Sequence, residues 1–154
     1  MHASTGTQKG KKNGAALAFV IIVLAVLTIF SILVAQIVSG NLKQAKAQEL
    51  DLQAYYVSVS GSELCLSALL QQGTGGANDT LLFQRFNPSI ANPVSMTDHL
   101  ILDGGVVDLT VSATVLSGER WIVIQSTSTL ADSTTTKTTT LEFQYSNPLI
   151  QKKS

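Results

Sequence analysis

The fold is decided by one apolar stretch, AALAFVIIVLAVLTIFSILVAQIV, which covers residues 15–38. No charged residue interrupts the sequence between Lys12 and Lys43. A helix of about 20 apolar residues spans the roughly 30 Å hydrocarbon core of a bilayer, so this stretch is long enough to cross it. It contains neither proline nor glycine, which predicts a helix without a kink. We therefore predict a single transmembrane helix over residues 15–40.

The charges around this stretch predict its orientation. Lys9, Lys11 and Lys12 precede it, whereas Lys43 and Lys46 after it are offset by nearby acidic residues. Positive charge favours the cytoplasmic side, so residues 1–14 are expected in the cytoplasm and the C-terminal part outside. A cleaved secretory signal is the alternative, but its apolar region should be shorter and should end in a small-x-small site.

The rest of the chain has the composition of one small exported domain. Formal net charge is zero, and without the three leader lysines 7 of the 10 basic residues remain against 10 acidic ones. This mildly acidic balance argues against nucleic-acid binding. Cys65 is the single cysteine, which excludes an intrachain disulfide and a cysteine-ligated metal site.

Residues 41–70 predict an amphipathic continuation of the helix. Two apolar rows recur at helical spacing. The first row is Leu42, Ala45, Leu52, Tyr56, Val59, Leu66 and Leu70; the second is Leu50, Ala54, Val57, Gly61, Leu64 and Ala68. Such a helix needs a sheet or a partner to cover its apolar side.

Glycines in residues 71–77 end this helix, and prolines keep residues 71–99 irregular, so we expect a long loop there. From Leu100 the apolar period changes to two, which predicts strands over residues 100–146 and a polar tail over 147–154. Turns are expected at residues 103–105, 117–118 and 131–133. The prediction is an α+β fold: a long N-terminal helix packed on a C-terminal antiparallel β-meander.

The N-terminus resembles the type IV pilin superfamily, and PilX-type minor pilins in particular. The residues that carry the resemblance are Lys11-Lys12-Asn13-Gly14 before the apolar run, Gly14-Ala15-Ala16-Leu17, residues 41–45 (NLKQA) and residues 54–61 (AYYVSVSG). The resemblance implies a basic leader that a prepilin peptidase removes between Gly14 and Ala15, followed by N-methylation of Ala15. It also implies a pilin-like fold, with other pilin subunits and a pilus assembly platform in the membrane as partners.

One position departs from that family. Most major pilins carry glutamate at the fifth mature position, which here is Phe19. In the family this glutamate is thought to neutralise the N-terminal amine of a neighbouring subunit inside the apolar fibre, where an unpaired charge is costly. A subunit without it suits the tip better than the repeating shaft, so the resemblance implies a minor or initiating subunit.

Other functions have weaker signals. Ser95, Asp98 and His99 contain the residue types of a hydrolytic triad but lie too close together in the sequence, without a nucleophile elbow. Asp103, Asp108 and Asp132 lack the spacing of a calcium-binding loop. Gly73–Gly76 lacks the lysine of a phosphate-binding loop. Asn78-Asp79-Thr80 matches a glycosylation acceptor, but this three-residue pattern is common by chance. We expect no enzyme, cofactor or metal. The main alternative is a membrane-tethered binding module with a pocket near Phe83, Phe86 and Trp121.

Overall fold

The computed structural model describes the backbone of residues 10–73 and 79–154, and the side chains of residues 16–73 and 79–154. Contacts divide the chain into two compact units, Met1–Lys46 and Ala47–Ser154, which are described separately below. The first helix, α1, covers Gly10–Leu70 and therefore belongs to both units. Most of the predicted leader, residues 1–9, lies outside the described part of the chain.

The N-terminal unit is an apolar helical segment. Every side chain described from residue 16 to residue 46 is exposed. Its few hydroxyls are bonded within the helix: Thr28 donates to the Leu24 carbonyl, and Ser31 donates to the Leu27 carbonyl at 2.9 Å. These bonds satisfy polar groups that an apolar environment would penalise. Within the described residues, α1 is the one helix long and apolar enough to cross a membrane.

The C-terminal unit is an antiparallel sheet covered on one face by the last turns of α1. The strands are β1 (Met96–Leu102), β2 (Gly105–Leu116), β3 (Glu119–Leu130), β4 (Thr136–Gln144) and β5 (Gln151–Lys153), and a short helix, α2 (Leu81–Phe86), precedes them. The spatial order is the sequence order β1-β2-β3-β4-β5, so the sheet is a meander. The α+β fold with a long helix on an antiparallel meander is confirmed.

The turns between the strands explain the simple topology. Ser117 and Gly118 both have positive φ, 54° and 81°, which suits the two-residue turns whose twist matches a hairpin. The predicted turn at residues 131–133 also separates two strands. Because each turn is short, consecutive strands pair with each other and no crossover is needed.

The face of α1 that the sheet covers was predicted wrongly in part. Leu52, Tyr56 and Leu70 of the first predicted row are exposed. The buried positions of α1 are Ala54, Ser58, Gly61, Ser62, Leu66 and Leu69. Most of these side chains are small, which lets the helix backbone approach the sheet closely, whereas the large side chains of the first row would hold the two apart.

Serine hydroxyls join α1 to the middle of the sheet. Ser58 donates to the Ser126 carbonyl at 2.7 Å, and Ser126 donates back to the Ser58 carbonyl at 2.7 Å. Ser58 also shares a 2.7 Å hydrogen bond with Thr139, and Ser128 donates to the Ala54 carbonyl at 2.6 Å. No buried side-chain polar atom in the described residues lacks a partner. This reciprocal network sets the register of the helix on the sheet, because a shift would leave buried hydroxyls unpaired.

Two segments that the sequence predicted as irregular are ordered. Strand β1 begins at Met96 rather than Leu100 and pairs with β2 along its whole length. The three-residue strand β5 lies in the predicted polar tail and pairs with residues 141–143. Neither segment has a strong apolar alternation, because an edge strand has one neighbour and relies on backbone hydrogen bonds more than on side-chain burial.

The predicted loop also contains α2. Thr80 caps this helix by accepting a hydrogen bond from the Phe83 N–H at 3.1 Å, and Leu82 and Phe86 bury their side chains. Phe86 joins the main core with side chains from the helix and three central strands. The buried members of this core are Leu66, Leu69, Leu82, Phe86, Val107, Leu109, Val111, Ile122, Ile124, Leu141 and Phe143.

Candidate functional site

The residues predicted to govern cleavage and assembly lie in the first part of α1. Gly14 and Ala15 are within the helix, and only the backbone of this pair belongs to the described part of the chain. Phe19 is 67% exposed, like the other large apolar side chains of this segment. Its ring is thus available to lipid or to a neighbouring helix.

The candidate triad does not form. His99 Nδ1 lies 2.7 Å from Asp108 Oδ1, its directly paired neighbour on β2, and both side chains are largely exposed. Asp98 is adjacent to His99 on a strand and therefore belongs to the other face of the sheet, although its carboxylate accepts the His99 backbone N–H at 2.8 Å. Ser95 precedes β1, and no contact joins it to the histidine in the described residues. The His99–Asp108 pair is a cross-strand contact on the polar face.

Metal-binding patterns are likewise not assembled. Within residues 10–73 and 79–154, no three histidine, cysteine, aspartate or glutamate side chains come together in a group that could hold a metal ion. Asp103 lies in the β1–β2 turn, Asp108 on β2 and Asp132 in the β3–β4 turn. Most of the glycine-rich segment and Asn78 of the glycosylation pattern lie outside the described residues.

The predicted pocket around Phe83, Phe86 and Trp121 is wrong. Phe86 is fully buried in the core between helix and sheet. Trp121 is 7% exposed and belongs to the opposite face of the sheet, where the Lys152 ammonium lies 4.8 Å from its ring centroid. The two aromatic residues therefore fill separate layers and cannot line one pocket.

Arg120 holds α2 against the sheet. Its guanidinium donates to the carbonyls of Phe86, Asn87 and Ile90, the last at 2.9 Å. The C-terminal carbonyls of a helix lack partners within the helix, and a cation there also interacts favourably with the helix dipole. One side chain therefore fixes the position of α2 and of the chain that follows it.

An apolar cleft opens between α1, α2 and the first two strands, and the sequence did not indicate it. Its volume is about 380 Å³. The lining is mostly aliphatic, with one thiol and one carboxylate: Leu64, Cys65, Ala68, Leu69, Leu81, Met96, Thr97, Asp98, Leu100, Leu102, Leu109 and Val111. A signal was present in the second apolar row, whose Leu64 and Ala68 remain exposed at the cleft.

The polar groups of the cleft are electrostatically coupled. Burial and, as the smaller cause, the nearby Asp98 carboxylate together raise the pKa of the Cys65 thiol to about 11. The thiol is therefore neutral at physiological pH and behaves as a small apolar group. Asp98 is the charged group that faces this cleft, and no cationic side chain of the described residues forms an ion pair with it.

The uncovered side of α1 in the C-terminal unit carries large apolar side chains. Leu52 is 55% exposed, Tyr55 40% and Tyr56 64%. The two tyrosine rings contact each other edge to face, with centroids 5.8 Å apart. This aromatic strip, defined by Leu52, Tyr55 and Tyr56, is an apolar helix surface that the sheet leaves largely exposed, although Tyr55 also lines a groove beside residues 139–141.

Comparison of the sequence with models of known protein families finds no match, and comparison with curated proteins finds no match either.

Proposed function

We propose that this protein is a structural subunit of a type IV pilus or of a related pseudopilus, in the role of a minor or initiating pilin. The observation that carries the proposal is the surface of α1. Its N-terminal part is apolar and exposed, and its C-terminal part is covered by the sheet on one side while the aromatic strip stays largely exposed on the other. A helix with these surfaces is suited to contact lipid before assembly and neighbouring helices after assembly.

The physics of transfer supports this role. Lipid tails are about as apolar as leucine side chains, so an apolar helix leaves the bilayer for a helix bundle at little cost, and packing decides the outcome. Ala16, Ala18 and Ala25 leave room for close helix approach. Outside the membrane, burial of the aromatic strip against another subunit would stabilise the contact, because it removes apolar surface from water.

Phe19 supports a minor role rather than a shaft role. A carboxylate at this position could pair with the amine of a neighbouring subunit, whereas the Phe19 ring cannot. A repeated shaft of such subunits would bury one unpaired amine per subunit, while a tip subunit has no such requirement. In this proposal the leader faces the cytoplasm, and the sheet lies outside the membrane and then on the cell surface.

The test is the N-terminus of the mature chain. The full-length protein is expressed with and without a prepilin peptidase, and intact mass spectrometry locates the first residue. A chain that starts at a methylated Ala15 only when the peptidase is present supports the proposal. Gly14→Val should block this cleavage, and Gly10→Val, a matched change within the same leader, should leave it intact.

An intact leader in cells that contain the peptidase, or a start after Ala35, contradicts the proposal. The first result would favour the alternative of a membrane-tethered binding module, for which the apolar cleft beside Cys65 is the specific supporting observation. Co-purification with fibres separates the two further, since a tethered module stays in the membrane fraction.

A further inference from the structure

The two edges of the sheet differ in how they are protected. The β5 edge is three residues long and carries Lys152 and Lys153. Short length and lysine are the usual means by which proteins prevent other strands from adding to an edge. The β1 edge is seven residues long and contains no lysine, arginine or proline. Its one inward-facing charge is Asp98, so a strand that adds to this edge must offer a partner for that carboxylate.

The free backbone groups of β1 can be assigned from the hairpin. The two-residue turn between Leu102 and Gly105 makes that pair hydrogen-bonded, and pairing alternates back along the strand. The N–H and C=O groups of Thr97, His99 and Ile101 then point away from β2. In agreement, the His99 N–H donates to the Asp98 carboxylate and not to β2, so an added strand would pair with the N–H groups of Thr97 and Ile101 and with the outward carbonyls. No backbone hydrogen bond reaches β1 from any other segment within residues 10–73 and 79–154.

The apolar cleft runs along this same edge. Met96, Asp98, Leu100 and Leu102 line it from the inner face of β1, while α1 forms the opposite wall. A strand added beside β1 would place every second side chain over this cleft, since side chains alternate between the two faces of a sheet. A volume of about 380 Å³ accommodates such side chains.

We propose that the β1 edge binds an extended peptide of a partner protein by strand addition, with apolar side chains at alternate positions in the cleft and one lysine or arginine facing Asp98. Backbone hydrogen bonds to β1 supply affinity, and the cleft with its carboxylate supplies selectivity. This inference does not depend on assembly into a fibre. A contact with one strand buries little surface, so the interaction is transient.

The test uses the full chain in phosphatidylcholine nanodiscs and two pools of fluorescein-labelled peptides, each seven residues long like β1. One pool has lysine at the centre and a mixture of valine, leucine and isoleucine two positions to either side. The other has glutamate at the centre. Fluorescence anisotropy should show saturable binding of the lysine pool and at least about threefold weaker binding of the glutamate pool. Asp98→Asn should remove this difference.

Ile101→Pro provides the test of backbone pairing. It deletes a donor that faces away from β2, so the β1–β2 ladder is retained, and proline is tolerated on an edge strand. Binding should weaken more than about tenfold. Ile101→Ala is the matched control, because it keeps the N–H and should leave binding within about threefold. Circular dichroism shows whether each variant retains the fold.

Three outcomes overturn the proposal. The first is no saturable binding of either pool to the folded chain, and the second is binding that Ile101→Pro does not change. The third is a dimer in light scattering that Ile101→Pro dissociates, since the occupant would then be a second copy of the chain. Binding of a dansyl-labelled alkylamine without peptide binding falls under the first outcome and would make the cleft a small-molecule site.

Discussion

Replacement of Gly61 by alanine tests the close approach of α1 to the sheet. A Cβ atom added at Gly61 would lie 2.6 Å from Val107 Cγ1 and 3.0 Å from Ser126 Oγ. Val107 is fully buried and, as a β-branched residue, has little rotamer freedom. The Ser126 hydroxyl is held by its hydrogen bond to the Ser58 carbonyl. Neither neighbour can move without disturbing the interface.

The magnitude follows from three opposing effects. Alanine in a helix is favoured over glycine by roughly 1 kcal/mol. Overpacking in a core costs about 1–3 kcal/mol, and a disturbed buried hydrogen bond costs about 1–3 kcal/mol. We expect Gly61→Ala to lower the free energy of unfolding by about 2 kcal/mol in total, which shifts a urea midpoint down by about 1–2 M.

Trp121 is the single tryptophan of the chain and is buried, so its fluorescence reports unfolding of the C-terminal unit. The full chain in detergent micelles is titrated with urea. Gly40→Ala is the control, because its added Cβ meets nothing beyond its own helix turn within 4 Å, and the helix preference for alanine means that it should leave the midpoint unchanged or slightly raised. A double variant of Gly61→Ala with Val107→Ala should be more stable than the sum of the single effects predicts, by about 1–2 kcal/mol. An unchanged or raised midpoint for Gly61→Ala would refute the argument from close approach.

Four further predictions concern three side chains. Arg120→Gln should lower the free energy of unfolding by about 2 kcal/mol and speed amide hydrogen exchange in α2, because several carbonyls lose a charged donor. Arg85→Gln, an exposed change within α2 itself, should have neither effect. Ser58→Ala should lower the free energy of unfolding by about 1–3 kcal/mol, because its buried partners lose a hydrogen bond, and the urea midpoint should fall accordingly. Equal midpoints for Ser58→Ala and the exposed Ser67→Ala would contradict this. Cys65, with a pKa of about 11 instead of 9.0, should react with iodoacetamide at pH 9 about fiftyfold more slowly in the folded than in the unfolded chain, because the thiolate is the nucleophile. The same raised pKa means that stability should fall as pH rises from about 9 to about 11, as the unfolded chain loses the proton first, and a Cys65→Ala variant should show a shallower fall.

Much of the fold follows from local patterns. The length of the apolar stretch at residues 15–38 predicts a helix that can cross a bilayer, because about 20 consecutive apolar residues match the thickness of the hydrocarbon core. Period-two alternation and glycine-containing turns predict the central strands, whose inner side chains are buried as expected. The assembly role of Gly14, Ala15 and Phe19 remains a prediction, because its partners are other molecules.

The candidate binding features were less accessible to sequence reasoning. The cleft beside Cys65 is formed by α1, α2, β1 and β2, and its carboxylate comes from a residue that the sequence placed in a loop. Trp121 and Phe86 were expected together, yet alternation along β3 sends the Trp121 ring to the face opposite the core. Proximity in a fold depends on strand register, which apolar pattern alone does not specify for every position.

By itself, the sequence determined the elements: an apolar helix, its continuation and a run of consecutive antiparallel strands. Tertiary structure alone decided which side of the helix is covered. The apolar pattern favours burial of Leu52 and Tyr56 over burial of Ser58 and Gly61. The sheet instead packs against the side of the helix where the side chains are small and where hydroxyls can pair with carbonyls. Interior packing depends on shape and hydrogen-bond partners that residues acquire only on folding, so the larger apolar side chains were left exposed.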